Sequence, residues 1–374
     1  MARTRRSASS ANLPLTPEQL LKLDNVPAAK KVPSDIASRL STRKLVISGA
    51  RGLKPEKSEV KGAYEVTLSG KAVVGLPGQK ATRMPRPRKR PAGRSLAGHR
   101  PAWAAHVHHP KRAKAPHWAQ GPVERPGYRG EVFYGVFGGE DRQVYYPSGY
   151  PWQCVGRVFA WNDASGASWA WSGSAVLVGP RVVLTAGHVV PWDASSWMML
   201  FVPSYYDGTS LLGSGGQSYV SDAQGWDVSY VSRLPDAHDM AVLRLYDPLG
   251  DWLGYFGSKP YSNSWTGQPY WNITGYPGAV AGAERPSYQF GITVIEAEAS
   301  TDALDIEHQG DATPGDSGAP FWATWPDGFP YVIGTVSGGE IVTDSRGTVL
   351  EDNNNVAGGN AVNDLIRWAR TNWP

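Results

Sequence analysis

The 374-residue sequence predicts an all-β domain closed by one helix, preceded by a basic stretch with no core of its own. Three observations carry this. After residue 135, short runs rich in Val, Ile, Tyr and Trp are broken by Gly, Pro, Asn and Asp, the punctuation of strands and turns. Of the 16 Trp, 14 fall in that part, which supplies large apolar side chains for a core. Charge divides the chain at the same place: residues 1–135 hold 27 Lys and Arg against 8 Asp and Glu, and residues 136–374 hold 10 against 25. An overall charge of +4 hides this split.

Taken in order, Met1-Ala2-Arg3-Thr4-Arg5-Arg6-Ser7 is positive with no apolar run behind it, so it is no ordinary secretory signal; its composition faintly matches a transit peptide. Thr16-Pro17-Glu18-Gln19 predicts a helix start, with Thr16 as cap and Pro17 at the first helical position. Residues 44–76 alternate apolar and polar residues between glycines, as in Ala63-Tyr64-Glu65-Val66-Thr67-Leu68, and predict a few strands. From Pro85 to Arg129 the sequence is rich in Pro, Arg and His without periodicity, which predicts disorder or an extended linker. Beyond residue 135, Ser174-Ala175-Val176-Leu177-Val178 and Tyr331-Val332-Ile333-Gly334-Thr335-Val336 read as strands. The final stretch places Val362, Leu365, Ile366 and Ala369 on one face at helical spacing. No run reaches the ~18–20 apolar residues of a membrane span.

Three blocks carry chemistry: Leu184-Thr185-Ala186-Gly187-His188, Asp239-Met240-Ala241-Val242-Leu243 and Gly315-Asp316-Ser317-Gly318-Ala319-Pro320. A serine hydroxyl attacks a carbonyl at neutral pH only when an imidazole takes its proton, and the imidazole needs a buried carboxylate to fix its tautomer. His188 follows a strand ending in small residues. Asp239 directly enters an apolar run that draws it inward, where a carboxylate needs a partner; it is preferred to Asp236, and His238 beside it is the nearby competitor to His188. Ser317 lies in a glycine-flanked turn whose Gly315 and Ser317 N–H groups suit an oxyanion hole. His308 reads as a strand or pocket-wall residue. Cys154, the single cysteine, excludes an intramolecular disulfide and reads as a buried core thiol, since a cysteine nucleophile would need a base that the three blocks leave unassigned. His106, His108 and His109 lack carboxylates at ligand spacing, so no metal and no cofactor is expected. Asn272-Ile273-Thr274 fits a glycosylation acceptor but lies in strand-like sequence.

The order His, Asp, Ser and the three blocks resemble the trypsin/chymotrypsin superfamily of serine peptidases. Within it the chain is similar to the disulfide-poor bacterial branch that includes glutamyl endopeptidases, through Gly138-Gly139-Glu140-Asp141-Arg142, Tyr150-Pro151-Trp152, Gly275-Tyr276-Pro277-Gly278 and Asp311-Ala312-Thr313-Pro314. The resemblance begins near Val136. It implies two six-stranded antiparallel barrels, with boundaries at 136–254 and 255–374 and the helix on the second, after a leader of residues 1–135. It further implies catalysis by His188, Asp239 and Ser317, a serine hydroxyl from Ser337 on Asp239, and substrate binding by Asp311, Ala312, Ser337, Gly338 and Gly339.

Two points stay open on these residues. Asp316 could pair with a new N-terminal ammonium at Val136, freed by cleavage after Gly135, or with an internal arginine. Asp311, six residues before the serine, would favour Arg or Lys substrates at a pocket floor, whereas the family's glutamate-selecting histidine is replaced here by Val336; apolar and acidic preferences remain alternatives. The basic region has three readings: a solvated tail, a removable propeptide acting as an intramolecular inhibitor, or an arm for polyanions. The cluster Arg86-Pro87-Arg88-Lys89-Arg90 lacks interleaved aromatics, which argues against nucleic acid. The expected partner is a protein or peptide substrate, with secretion implied by the resemblance. A non-catalytic binding protein on the same fold, with a polyanion-binding arm, is the rival.

Overall fold

A computed structural model describes residues 13–27, 32–42, 59–60, 63–64, 80–84, 93–115, 135–161, 171–192, 194, 197–213, 216–226 and 237–374. Six strands form the first unit: β1 Val155–Trp161, β2 Trp171–Leu177, β3 Val182–Thr185, β4 Met198–Pro203, β5 Ser218–Trp226 and β6 Ala241–Leu245. Neighbours run β6-β3-β2-β1-β4-β5, and β5 pairs back onto β6, so the ladder closes into an antiparallel barrel. Val158, Ala175, Val183, Leu184, Val220 and Leu243 are buried in it. Residues Lys80–Met84 add a parallel strand along β5.

The second unit contains β7 Trp271–Gly275, β8 Ser287–Ile292, β9 Val294–Ser300, β10 Ala303–His308, β11 Pro320–Thr324, β12 Pro330–Thr343 and β13 Val349–Gly359. Their order is β9-β10-β13-β12-β11-β7-β8, with short strands at Gln143–Val144 and Gly257–Ser258 making nine. Where the resemblance implied six strands, the sheet of the second unit counts nine with these short segments. The long run from 287 to 300 is interrupted at Thr293, so β8 and β9 serve opposite ends of the sheet. Its core is aromatic: Trp271 stacks on Phe321 at 5.6 Å, and Trp265 and Trp325 pack edge-on at 5.6 Å.

The terminal helix spans Asn360–Asn372, with Val362, Leu365, Ile366 and Ala369 buried. It was expected on the second unit alone; it grips both. Ala361 N–H donates to Asp302 O at 3.1 Å, and the Arg370 guanidinium donates to Val178 O beyond β2 and to Phe256 O.

Upstream of residue 135 the structure departs from the sequence reading. The capping box forms as expected, with Thr16 and Gln19 bonded reciprocally at the start of helix Pro17–Leu20. Residues 93–115, expected as linker or disorder, are extended and docked on the β domain as a strap. Leu96 and Ser258, and His99 and Tyr255, exchange backbone hydrogen bonds. Val107 O accepts the buried Trp152 indole N–H at 2.7 Å, and Ala104 and Val107 enter the core. The composition is poor in apolar side chains, so the strap is held by backbone pairing to a preformed sheet surface, which local periodicity does not reveal. Most of 44–76, Asp236, the Arg86–Arg90 cluster and 116–129 lie outside the described residues; Glu59–Val60 and Ala63–Tyr64 form one short hairpin.

Candidate active site

His188 sits in a single turn, Gly187–Val189, immediately after β3. Two indoles hold that turn: Trp171 donates to Val189 O at 2.9 Å and Trp192 to Gly187 O at 2.8 Å. Asp239 lies at the entry to β6, paired antiparallel with β3, so adjacent strands deliver both residues to one end of the first barrel. Asp239 is 5 % exposed and accepts three hydrogen bonds: His188 N–H at 2.7 Å, His188 Nδ1 at 2.7 Å and the Ser337 hydroxyl at 2.6 Å. A carboxylate can only accept, so Nδ1 carries the proton and Nε2 of the neutral ring is a base. Ser337 comes from β12, which ties the second unit to the first at this carboxylate.

Ser317 lies in the turn before β11, and the packing of that turn shows how it reaches the same seam. Ser174 N–H on β2 donates to Ser317 O at 2.8 Å. Gly318, at φ +84°, is pressed against the end of β3: a Cβ there would meet Thr185 Oγ1 at 2.2 Å and Ala186 N at 2.9 Å. Gly315, at φ +106°, would place a Cβ 2.4 Å from Tyr276 O. Both positions need glycine for conformation and space.

The turn's carbonyls are all engaged. Pro314 O accepts from Gly278 N–H at 2.9 Å, Gly315 O from the Ser174 hydroxyl at 2.7 Å, and Asp316 O from Ala319 N–H at 2.7 Å. In planar trans peptides N–H opposes C=O, so the Gly315 and Ser317 N–H groups are turned away from the partners that hold Pro314 O and Asp316 O. An arrangement of this kind can stabilise a developing oxyanion. Ser174 is a residue that sequence reasoning missed. It also accepts from Tyr276 N–H at 2.8 Å, and a serine within a strand carries no local signal of such a task.

Asp316 is fully buried and pairs with Arg142 at 2.7 Å, which also binds Thr313 Oγ1 at 2.9 Å and Glu140. Burial, partly offset by Arg142, pushes the Asp316 carboxyl up to about 6. The internal arginine is therefore the partner of Asp316, in place of an ammonium at Val136, which is 42 % exposed. Gly135 is anchored where it stands: Asn354 bonds its N–H and its carbonyl, each at 2.7 Å, and Ala312 N–H donates to that carbonyl at 3.0 Å.

Asp311 corrects the expectation of a substrate-binding carboxylate. It is 0 % exposed, and its oxygens accept Phe137 N–H at 2.9 Å and Asp141 N–H at 3.2 Å. It anchors the segment entering the domain. Ala312 and Val336 are buried, and Gly338 and Gly339 continue β12 past Ser337. His308 is buried in β10, stacked on Phe321 at 4.9 Å, and burial lowers it to about 3. His238, the nearby competitor to His188, is fully buried and its Nε2 lies 3.3 Å from Asp302 Oδ1. Cys154 is a buried thiol, raised by desolvation, with Sγ 3.6 Å from Leu253 O. Asn272 is buried and bonded to Trp322 O at 3.1 Å, which leaves no room for a glycan. Among the described residues, no cluster of His, Cys, Asp and Glu could hold a metal ion.

The sequence profile of the trypsin-like peptidase domain matches residues 173–325, which span His188, Asp239 and Ser317. Over that stretch the chain is similar to trypsin-like peptidases. It is 25 % identical over 197 residues to a glutamyl endopeptidase of Bacillus licheniformis, a match covering 50 % of this chain and 54 % of that protein. The chain thus spans about half the length of that relative. Among solved structures it is similar to a Glu endopeptidase in complex with MPD, at 20 % identity and TM-score 0.47, covering 63 % of this chain and 100 % of the other. It is also similar to the protease Anisep from Arthrobacter nicotinovorans, at 19 % identity and TM-score 0.44, covering 62 % and 100 %.

Proposed function

We propose that the chain is a serine endopeptidase acting on protein or peptide substrates through an acyl-enzyme. The observation that carries this is the Asp239 carboxylate holding His188 Nδ1 at 2.7 Å and the Ser337 hydroxyl at 2.6 Å, beside the glycine turn that presents Ser317. In this reading His188 Nε2 takes the Ser317 proton as Oγ attacks the peptide carbonyl. The carbonyl oxygen becomes an oxyanion facing the Gly315 and Ser317 N–H groups. Asp239 stabilises the imidazolium, which then protonates the leaving amine. A water repeats the sequence in reverse and frees the acid.

Primary preference for Arg or Lys would need an available carboxylate, and Asp311 is committed to backbone N–H groups. Ala312, Val336, Gly338 and Gly339 offer no charge, which supports a neutral primary side chain. The docking of residues 93–115 supports a removable basic leader that ends before residue 93, not at 135. Opposite charge on leader and domain would hold the leader near the site over about a Debye length, ~8–10 Å. Secretion is part of the same proposal, and no helix among the described residues is long and apolar enough to cross a membrane.

The test is labelling by a fluorophosphonate, with the modified residue mapped by mass spectrometry. Ser317 is expected to react, and Ser317→Ala to lower turnover by roughly 10⁶ with folding intact. Activity at a tenth or more in that variant removes the assignment. No labelling after leader removal favours the non-catalytic binding protein.

A further inference from the structure

One face of the second sheet gathers acidic side chains, beginning three residues along β12 from Ser337. Residues paired across strands share a face. Glu298 on β9 pairs with Asp305 on β10, Glu307 on β10 with Asn355 on β13, and Asn353 on β13 with Glu340 on β12. Gly338, next to Ser337, faces Asn355 in the same register. Asp305, Glu307, Asn353 and Asn355 form the floor of a basin. Glu298 and Glu351 are exposed at its rim, and Glu340 is half-buried beside them.

Among the described residues none of these carboxylates has an ion-pair partner; Glu307 accepts only the Asn353 amide, at 2.7 Å. Asn355 is fully buried, yet neither atom of its amide reaches a hydrogen-bond partner. It lies close enough to Asp305 and Glu340 to favour their charged forms without closing a bond. A buried amide left unbonded is costly and points to an absent ligand. Burial first, then Glu340, Glu307 and Glu298, pushes Asp305 up to about 7, so the charges are mutually uncomfortable. A guest cation that also donates hydrogen bonds would answer both conditions. The basin lacks the convergent ligand set of a metal site among the described residues.

We propose that this basin is a subsite for an Arg or Lys side chain of the substrate, two or three residues from the scissile bond. It rests on the endopeptidase reading and adds the substrate class. The spacing follows from strand geometry: β12 advances about 3.3 Å per residue from Ser337, so Glu340 lies roughly 10 Å along it. An extended substrate advances at the same rate and draws level with Glu340 two to three residues from the reacting carbonyl.

The experiment takes the full-length chain as isolated and a peptide with one cleaved bond, varied at each flanking position, with the Ala peptide as reference within each enzyme. Arg or Lys at one position two or three from the bond is expected to raise kcat/KM roughly fivefold over Ala at low salt. The gain should shrink at high salt and fall below about twofold in Glu298→Gln/Glu340→Gln. Cleavage with no basic preference at any such position, or a preference that survives in the double variant, overturns the subsite and leaves the peptidase standing. Failure of both cleavage and Ser317 labelling overturns the peptidase reading and the subsite together. A rise in Tm on adding calcium alone, lost in the double variant, would overturn it in favour of a metal.

Discussion

Replacing Arg142 by Met probes the turn that carries Ser317 without touching the reacting groups. The Arg142 and Asp316 side chains are 1 % and 0 % exposed and 2.7 Å apart. Methionine keeps most of the volume and removes the charge, leaving the carboxylate with Thr313 N–H at 3.0 Å as its remaining bond. Removing one partner of a buried pair costs about 3–5 kcal/mol, because the other charge stays buried. Glu140, at 40 % exposure, returns to water and adds little. The loss must depend on pH. Asp316 stands at about 6 in the folded chain against an ordinary carboxyl value of 3.8, so the folded state holds its proton more tightly. For a carboxyl raised by folding, stability is fullest below the unfolded value and falls as pH rises through the folded one, here by about 3 kcal/mol between about pH 4 and pH 6. Without Arg142 the folded value climbs further. The variant's deficit therefore widens above pH 6 and narrows toward pH 4. Urea melts of both proteins at about pH 5 and pH 8 measure it. A deficit under about 1 kcal/mol at pH 8, or one equal at both pH values, would refute this account of Asp316.

Two further outcomes are expected. Gly315→Ala forces a Cβ to within 2.4 Å of Tyr276 O at a φ of +106°, so the Gly315 N–H loses its aim and kcat falls about 10²–10³-fold with KM little changed; stopped-flow acylation of an ester substrate reads it, and a loss below tenfold would count against the oxyanion role. A chain starting at Val136 loses the acceptor of the Trp152 indole and the backbone partners of Tyr150, Tyr255 and Ser258. Each orphaned buried group costs about 1–3 kcal/mol, so Tm should drop by more than about 10 °C relative to a chain starting at Gly93. Equal melting of the two chains by calorimetry would show the strap to be dispensable.

The three chemical blocks were legible because each is set by local rules. Small residues end a strand before His188, an apolar run pulls Asp239 inward, and glycines at positive φ flank Ser317. The terminal helix was legible by its spacing, although its gripping of both units was not, because the partners Val178 and Phe256 lie 192 and 114 positions away. The strap was misread for a related reason. Its order comes from backbone hydrogen bonds to a distant sheet, and these leave no mark on side-chain periodicity.

The sequence by itself determined the strand-rich class, the end of the chain as a helix, and which histidine and aspartate meet, since each rests on local pattern and residue chemistry. Tertiary structure alone decided which cation meets Asp316, that Asp311 anchors backbone, and that Asn355 shares one face with a group of carboxylates. Those outcomes depend on burial and on contacts between residues far apart in the chain, where charge energetics are set by what packing brings together.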